Sequence, residues 1–480
     1  MGMMNLFGRR VIYTDVYDIT AENVLEVLQK ARDVHSVNRR EIDYLYNYYK
    51  GDQPILERKK AVRPEINNKI VENRANEIVS FKTGYLMGKP VQYITKGNDT
   101  EVSEAINKLN GFMDMENKST LDKRIVDWQH ICGTAYRMVL PNPLYPDDEE
   151  SPFRLYTLDP RDTFVVRYSG LGHEVVMAVT CTKLQNGNEI YSCYTRNQYF
   201  EVENGTILIK NEDQATGIPI IEYPANDARL GAFEPVLSLL DALNTVASNR
   251  VDGIEQFIQA LMLFHNVDIE KEDFASLKEM GGLKFKDVDG TMKGEVKYLI
   301  AELNQSQSQV LVDDLYEKVL TICGMPNRNG GSSTSDTGTA VIYRDGWSAA
   351  EARAADSESM FKEAEKIFLR VALRLCRDIG DLDVKLSSIE IRFTRRSYEN
   401  ITEKVNALVT MLGSDKIAPQ LAYTHCGLFI DPESAWKITQ EYMEKQRKEA
   451  KVDGSTGQRS GTDTGGNQDN QSNPGVSQTR

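Results

Sequence analysis

Apolar positions along the chain recur with two periods, and the changes of period divide it into segments. The spacing predicts a helix from Ile19 to Val34 with Thr20 as N-cap, then a second from Asn38 to Tyr49 with Ile42, Leu45, Tyr46 and Tyr49 on one stripe. Gly51 and Pro54 stop the second helix. After a basic stretch, Arg58 to Arg63, Asn67 opens a helix with Ile70, Val71, Ala75, Ile78, Val79 and Phe81 at helical spacing. Pro90 then forces GYLMGKPVQY, Gly84 to Tyr93, out of helix into a strand. Helices are also expected over Glu101 to Asn110 and Lys118 to Cys132, with a short strand over Ala135 to Leu140. From Phe153 to Tyr223 the period becomes two. TFVVRY, EVVMAVTCT, EIYSCYT, QYFEVE and TILIK, separated by SGLG, QNGN and ENG turns, describe a β-meander.

Two long helical rods follow. Leu230 to Phe264 has Pro235 near its first turn and an apolar stripe through Leu240, Leu243, Ala247, Val251, Ile254, Ile258 and Leu261. Asn266 to Leu303 breaks into short strands separated by Gly281, Gly282, Gly290 and Gly294; Asn304 caps a returning helix that Pro326 ends. The loop NRNGGSSTSDTG, Asn327 to Gly338, has no apolar residue. Beyond it, Met360, Phe361, Ala364, Ile367, Phe368, Val371, Ala372, Leu375, Cys376 and Ile379 recur as one buried helix face. A helix from Trp347 to Gly380 would run about 50 Å. Ser388 to Arg396 alternates as a strand, and Glu399 to Leu412, Ala418 to His425 and Pro432 to Lys451 are helical. Residues 452–480 are Gly, Ser, Thr, Asn and Gln with almost no apolar residue, the composition of a disordered tail. The fold class is α+β.

Composition narrows the function. A net charge of −14 over 480 residues argues against a protein that coats nucleic acid through a basic surface. The six cysteines are far apart without a CxxC pair and read as reduced, packed thiols. MGMMNLFGRRVIY lacks the apolar core and small-residue cleavage site of a secretory leader, so secretion is not expected, and the most apolar window, Phe257 to Val267, is too short to span a bilayer. Gly84, Gly88 and Lys89 imitate a phosphate-binding loop, but one residue is missing from the spacing and Pro90 stands where a magnesium ligand belongs. No HExxH, GxSxG or zinc-type spacing occurs, so no catalytic residue, metal or cofactor is assigned. Arg353, Lys362, Lys366, Arg370, Arg374, Arg377, Arg392, Arg395 and Arg396 form a basic series, but Glu351, Glu358, Glu363 and Glu365 are interspersed, which favours a solvated face or ion pairs.

In their order, INNKIVENRANEIVSFKTGYLMGKPVQY (Ile66 to Tyr93), LDPRDTFVV (Leu158 to Val166) and SDTGTAVIYRDG (Ser335 to Gly346), with the rod, tip, rod and loop layout, resemble the portal proteins of tailed bacteriophages, siphovirus branch. The resemblance covers Asn38 to Lys451. It implies a ring, dodecameric in capsids, at one vertex, through which double-stranded DNA is packaged and later ejected without sequence preference. It also implies docking to the terminase large subunit, a head-completion or adaptor protein, and the major capsid and scaffolding proteins. The location implied is the virion, and the host cytoplasm during assembly. Segment by segment, it implies a wing in residues 1–152 (helical) and 153–230 (β-rich), stem helices in 231–264 and 304–325, and a small α/β clip in 265–303. A tunnel loop would occupy 326–346, a long wing helix 347–380, a wing strand 381–396 and a helical crown 397–451. The DNA-facing residues would be Asn327, Arg328, Asn329, Gly330, Gly331, Ser332, Ser333, Thr334, Ser335, Asp336 and Arg344. Arg328 and Arg344 are balanced by Asp336 and Asp345, so the loop touches a polyanion without clamping it. Two other readings are a metal-dependent nucleic-acid-processing enzyme with a helical insertion and a minor capsid protein without a channel.

Overall fold

After a short strand, β1 (Ile12–Thr14), one continuous helix, α1 (Val24–Lys50), replaces the two helices expected from the sequence. Ser-Val-Asn at 36–38 reads as a break, yet each polar group is satisfied in place. Ser36 donates to the Asp33 carbonyl at 2.8 Å, and the Asn38 amide bonds the Arg10 N–H and C=O at 2.9 Å each. The helix ends at Gly51, whose φ of 104° is left-handed. Thr20 is not the cap; Asn23 precedes the first helical residue.

In this computed structural model the described residues are 8–97, 99–145, 150–211, 217–258, 261–265, 295–299, 305–327, 346–379, 382–394, 401–429 and 432–455. They form two units, Met1–Tyr398 and Glu399–Arg480.

In the first unit, α2 (Arg74–Leu86) begins well after Asn67, and Asn73 caps it by accepting from the Asn76 N–H. α3 (Thr100–Met115) is capped by Asp99, and α4 (Lys118–Cys132) has the bounds expected. β3 (Thr134–Pro141) follows. The expected meander is divided between two sheets. β4 (Phe153–Leu158) and β10 (Ile220–Pro224) flank β3 antiparallel in a three-stranded sheet. β5 (Thr163–Tyr168), β6 (Val175–Lys183), β7 (Glu189–Thr195), β8 (Tyr199–Glu203) and β9 (Thr206–Asn211) continue as a true meander, with β1 added parallel at the β5 edge. β2 (Gln92–Thr95) pairs antiparallel with β13 (Ile389–Arg392).

Three large apolar clusters and a smaller one, Tyr136, Met138, Val165, Ala178 and Ile220, are found among the described residues of this unit. α1 packs its Val24, Val27, Leu28 and Ala31 on the inner face of the six-stranded sheet, against Phe164, Val166 and Phe200. α1 and α2 also cover α5 (Leu237–Ile258) and α6 (Gln305–Cys323) through Ile42, Leu45, Ile78, Leu240, Leu243 and Val319. The third cluster surrounds α7 (Trp347–Ile379), a 33-residue helix whose Phe361, Ala364, Phe368, Ala372, Leu375 and Cys376 are buried against α3, α4 and the three-stranded sheet. The described side chains of the expected stripe up to Cys376 are buried or half-buried, except Ile367, which is 43% exposed.

The second unit is helical: α8 (Ile401–Leu412), α9 (Pro419–His425) and α10 (Pro432–Ser455) gather Leu408, Ala422, Tyr423 and Cys426 with Trp436 and Phe429. All six cysteines are free. Of the tail expected to be disordered from 452, residues 452–455 belong to α10, and 456–480 lie outside the described residues.

Candidate channel-forming elements

The first rod is shorter than its apolar stripe suggested. α5 ends at Ile258, and Leu261–His265 forms strand β11, paired antiparallel with β12 (Glu295–Leu299) from His265 opposite Glu295 to Leu261 opposite Leu299. The apolar run LMLF has the spacing of a last helical turn, because a short apolar run does not distinguish a strand from a buried helix. α5, β11, β12 and α6 therefore make a hairpin of two helices extended by a two-stranded ribbon. Between the ribbon strands, the excursion at 266–294 lies outside the described residues.

A polar ladder fixes α5 at its base. Asn244, Ser248 and Asp252 stand four residues apart, on one stripe of the helix. Their side chains accept from the backbone N–H groups of Glu72 at 2.9 Å, Ile70 at 3.0 Å and Asn68 at 2.8 Å. Alternate amides of an extended segment are thus satisfied by helix side chains instead of a neighbouring strand. This is why residues 67–73 are not helical despite their periodicity. Asp252 also receives Arg58 at 3.2 Å and Lys60 at 2.9 Å. Burial alone would push its carboxyl up, but the Asn68 amide and Lys60 outweigh that and hold it below the usual range.

The junction between α6 and α7 is equally constrained. Gly324 ends α6 with φ 63°, and a Cβ there would sit 2.7 Å from Cγ of Arg353 in the next helix. Trp347, at the start of α7, lies 6.1 Å from the Phe81 ring and 6.2 Å from the Tyr85 ring of α2. Tyr85 donates to Glu351 at 2.7 Å. Beneath them His130 is buried, and burial with nearby Lys82 pushes its imidazole down to about 3. A Cβ on Gly346 would stand 3.8 Å from Cα of Pro326, so the chain leaves this junction and returns to it side by side. The excursion hung there holds the expected DNA-facing residues. Of these, only Asn327 is described; Arg328, Asn329, Gly330, Gly331, Ser332, Ser333, Thr334, Ser335, Asp336 and Arg344 lie outside the described residues.

Sequence reasoning missed the anchor of α7. Glu365, grouped above with solvated glutamates, is fully buried. Lys118 reaches it at 2.7 Å and Arg137 at 3.4 Å, Tyr223 donates to it at 2.7 Å, and Tyr93 donates as well. Asp122 completes the cluster, 2.7 Å from Lys118 and paired with Arg137. Two cations meet two carboxylates, so the interior is neutral. Burial drives the Glu365 carboxyl up, but Lys118 and then Arg137 more than reverse it, and the group stays ionised below the usual carboxylate range. A single glutamate within an amphipathic helix gives no local sign of this, because its partners come from α4 and β3. Three members of the basic series are ion-paired: Lys362 with Glu358 at 2.5 Å, Arg377 with Asp383 at 2.9 Å, Arg392 with Glu390 at 3.1 Å. Arg395 and Arg396 lie outside the described residues.

A family model described as "Phage portal protein, SPP1 Gp6-like" matches residues 28–453, most of the chain. The chain belongs to the phage portal protein family. A curated relative, the "Portal protein" of Bacillus phage SPP1, is 22% identical over 466 residues, covering 88% of this chain and 87% of the relative. A solved structure entitled "Neck of empty GTA particle computed with C6 symmetry" covers 74% of this chain and 90% of its own, at 12% identity and a TM-score of 0.45. The family is structural, that of the connector between phage head and tail, and membership carries a portal function and a place in the virion capsid. Among the described residues no group of three or more His, Cys, Asp or Glu is placed to hold a metal, and no helix is long and apolar enough to cross a membrane.

Proposed function

We propose that the chain is one subunit of a homo-oligomeric ring, dodecameric in the capsid, whose axis conducts double-stranded DNA inward during packaging and outward at ejection. α5 and α6 are the stem, 265–303 the clip, 326–346 the tunnel loop, and α7 with both larger sheets the wing. The helical second unit is the crown. The clip side meets the terminase large subunit and later a head-completion or adaptor protein; the wing meets major capsid and scaffolding proteins. Assembly takes place in the host cytoplasm.

The closure of the 327–345 excursion supports this reading most. In a portal-family chain, a loop with both ends fixed on one rigid junction can project into a channel while the helices on either side stay in register. Its balanced charge and its glycines let it follow a moving duplex without holding it. Deleting Gly330 to Ser335 tests the assignment. The variant should form rings like the parent and fail to support DNA packaging. Packaging at the parental rate, or loss of the ring itself, would overturn it.

A further inference from the structure

The stem hairpin presents two unlike surfaces on different flanks. One is the 57–69 loop, held to α5 by the Asp252 pairs and closed on itself by Lys60 donating to the Ile66 carbonyl at 2.9 Å. In a chain of net charge −14 this loop gathers Arg58, Lys59, Lys60, Arg63 and Lys69 against only Glu57 and Glu65. Its tip exposes Val62 at 77%. Lys59 is exposed and has no ion-pair partner among the described residues.

The other surface is the outward stripe of α6. Val312, Val319 and Cys323 face the core, and at 100° per residue Val310, Asp314 and Glu317 lie on the opposite side. Val310 is 69% exposed and Leu311 46%. The helix carries Asp313, Asp314 and Glu317 against Lys318 alone, and Glu317 has no ion-pair partner among the described residues. One flank is therefore basic with a protruding valine, and the other acidic with exposed aliphatics.

We propose that the 57–69 loop of one copy docks on the outward stripe of α6 in the next, Val62 against Val310 and Leu311, with Lys59 opposite Glu317. Because the two surfaces differ, the contact is heterologous and propagates in one direction around a ring. It rests on the ring reading above and adds to it which faces meet. The contact also joins the polar ladder of one stem to the stem helix of its neighbour, so adjacent stems move together.

Charge exchange tests it on the full chain. Lys59→Glu and Glu317→Lys, each alone, turn an attraction into a repulsion at every interface. Each should raise the protein concentration at half-assembly, read by mass photometry, on the order of fivefold or more. Combining the two should bring it back close to the parental value. As a second readout, Lys59→Cys with Glu317→Cys should give an oxidation-dependent ladder of covalent multimers that neither single cysteine gives. Rings unaffected by the single reversals, a combination no better than either, or no ladder would overturn the pairing while leaving the ring standing. A parental chain that forms no ring at any concentration would overturn the ring reading and this contact with it.

Discussion

Glu365 offers the most direct perturbation of the framework that holds the long helix. Its carboxylate takes two cations and two phenols in a site closed to water. At an effective dielectric near 20, the Lys118 contact at 2.7 Å is worth roughly 6 kcal/mol of gross attraction, offset by several kcal/mol for desolvating each ion. Glu365→Gln keeps the volume and removes the charge, leaving Lys118 and Arg137 to share Asp122. The uncompensated cation should cost about 3–5 kcal/mol in urea unfolding followed by tryptophan fluorescence. Lys118→Met with Glu365→Met leaves Arg137 paired with Asp122 and restores neutrality, so the pair should be clearly more stable than the sum of its singles. The acid limb provides a second check. The folded carboxyl lies below its unfolded value, so its stabilisation is complete above the unfolded pKa and is lost as pH falls through the folded one; Glu365→Gln should lack that limb. A cost under about 1 kcal/mol for Glu365→Gln, or strict additivity in the methionine pair, would refute the view that this cluster is a balanced unit.

Other outcomes follow from the same physics. His35 is pushed down to about 4 and His130 to about 3, chiefly by burial, so both stay neutral while the unfolded chain takes up protons. Stability should fall as pH drops from about 6.5 toward 4, by about 1.4 kcal/mol per pH unit for each histidine, and His130→Gln should remove about half of that slope in pH-resolved unfolding. Ser248→Val strands the Ile70 N–H and should cost about 1–3 kcal/mol. Hydrogen exchange should show the amides of Asn68, Ile70 and Glu72 losing protection together.

What the sequence disclosed follows the range of the interactions involved. α4 and α7 were legible almost to the residue because each has a long apolar stripe and clear punctuation, Gly133 beyond one and Gly346 before the other. The division of the β-region was not legible, since alternation says which residues face inward but not which strand lies next to which. Residues 67–73 show helical spacing, yet side chains of Asn244, Ser248 and Asp252, more than 170 positions away, hold them extended. Glu365 and its partners are separated likewise, by 228 positions in the case of Arg137. The order of segments and the loop signature named the family, whereas the anchors that make the stem and wing rigid were invisible until the chain was folded.

In the proposed ring, copies of this chain encircle a channel into which the 327–345 excursion projects. Electron microscopy of the purified full chain, with a maleimide-gold label on a Ser333→Cys variant, tests it most directly. Rings with a central opening, and label density within that opening, are expected. Label on the outer rim, or particles without an opening, would contradict it.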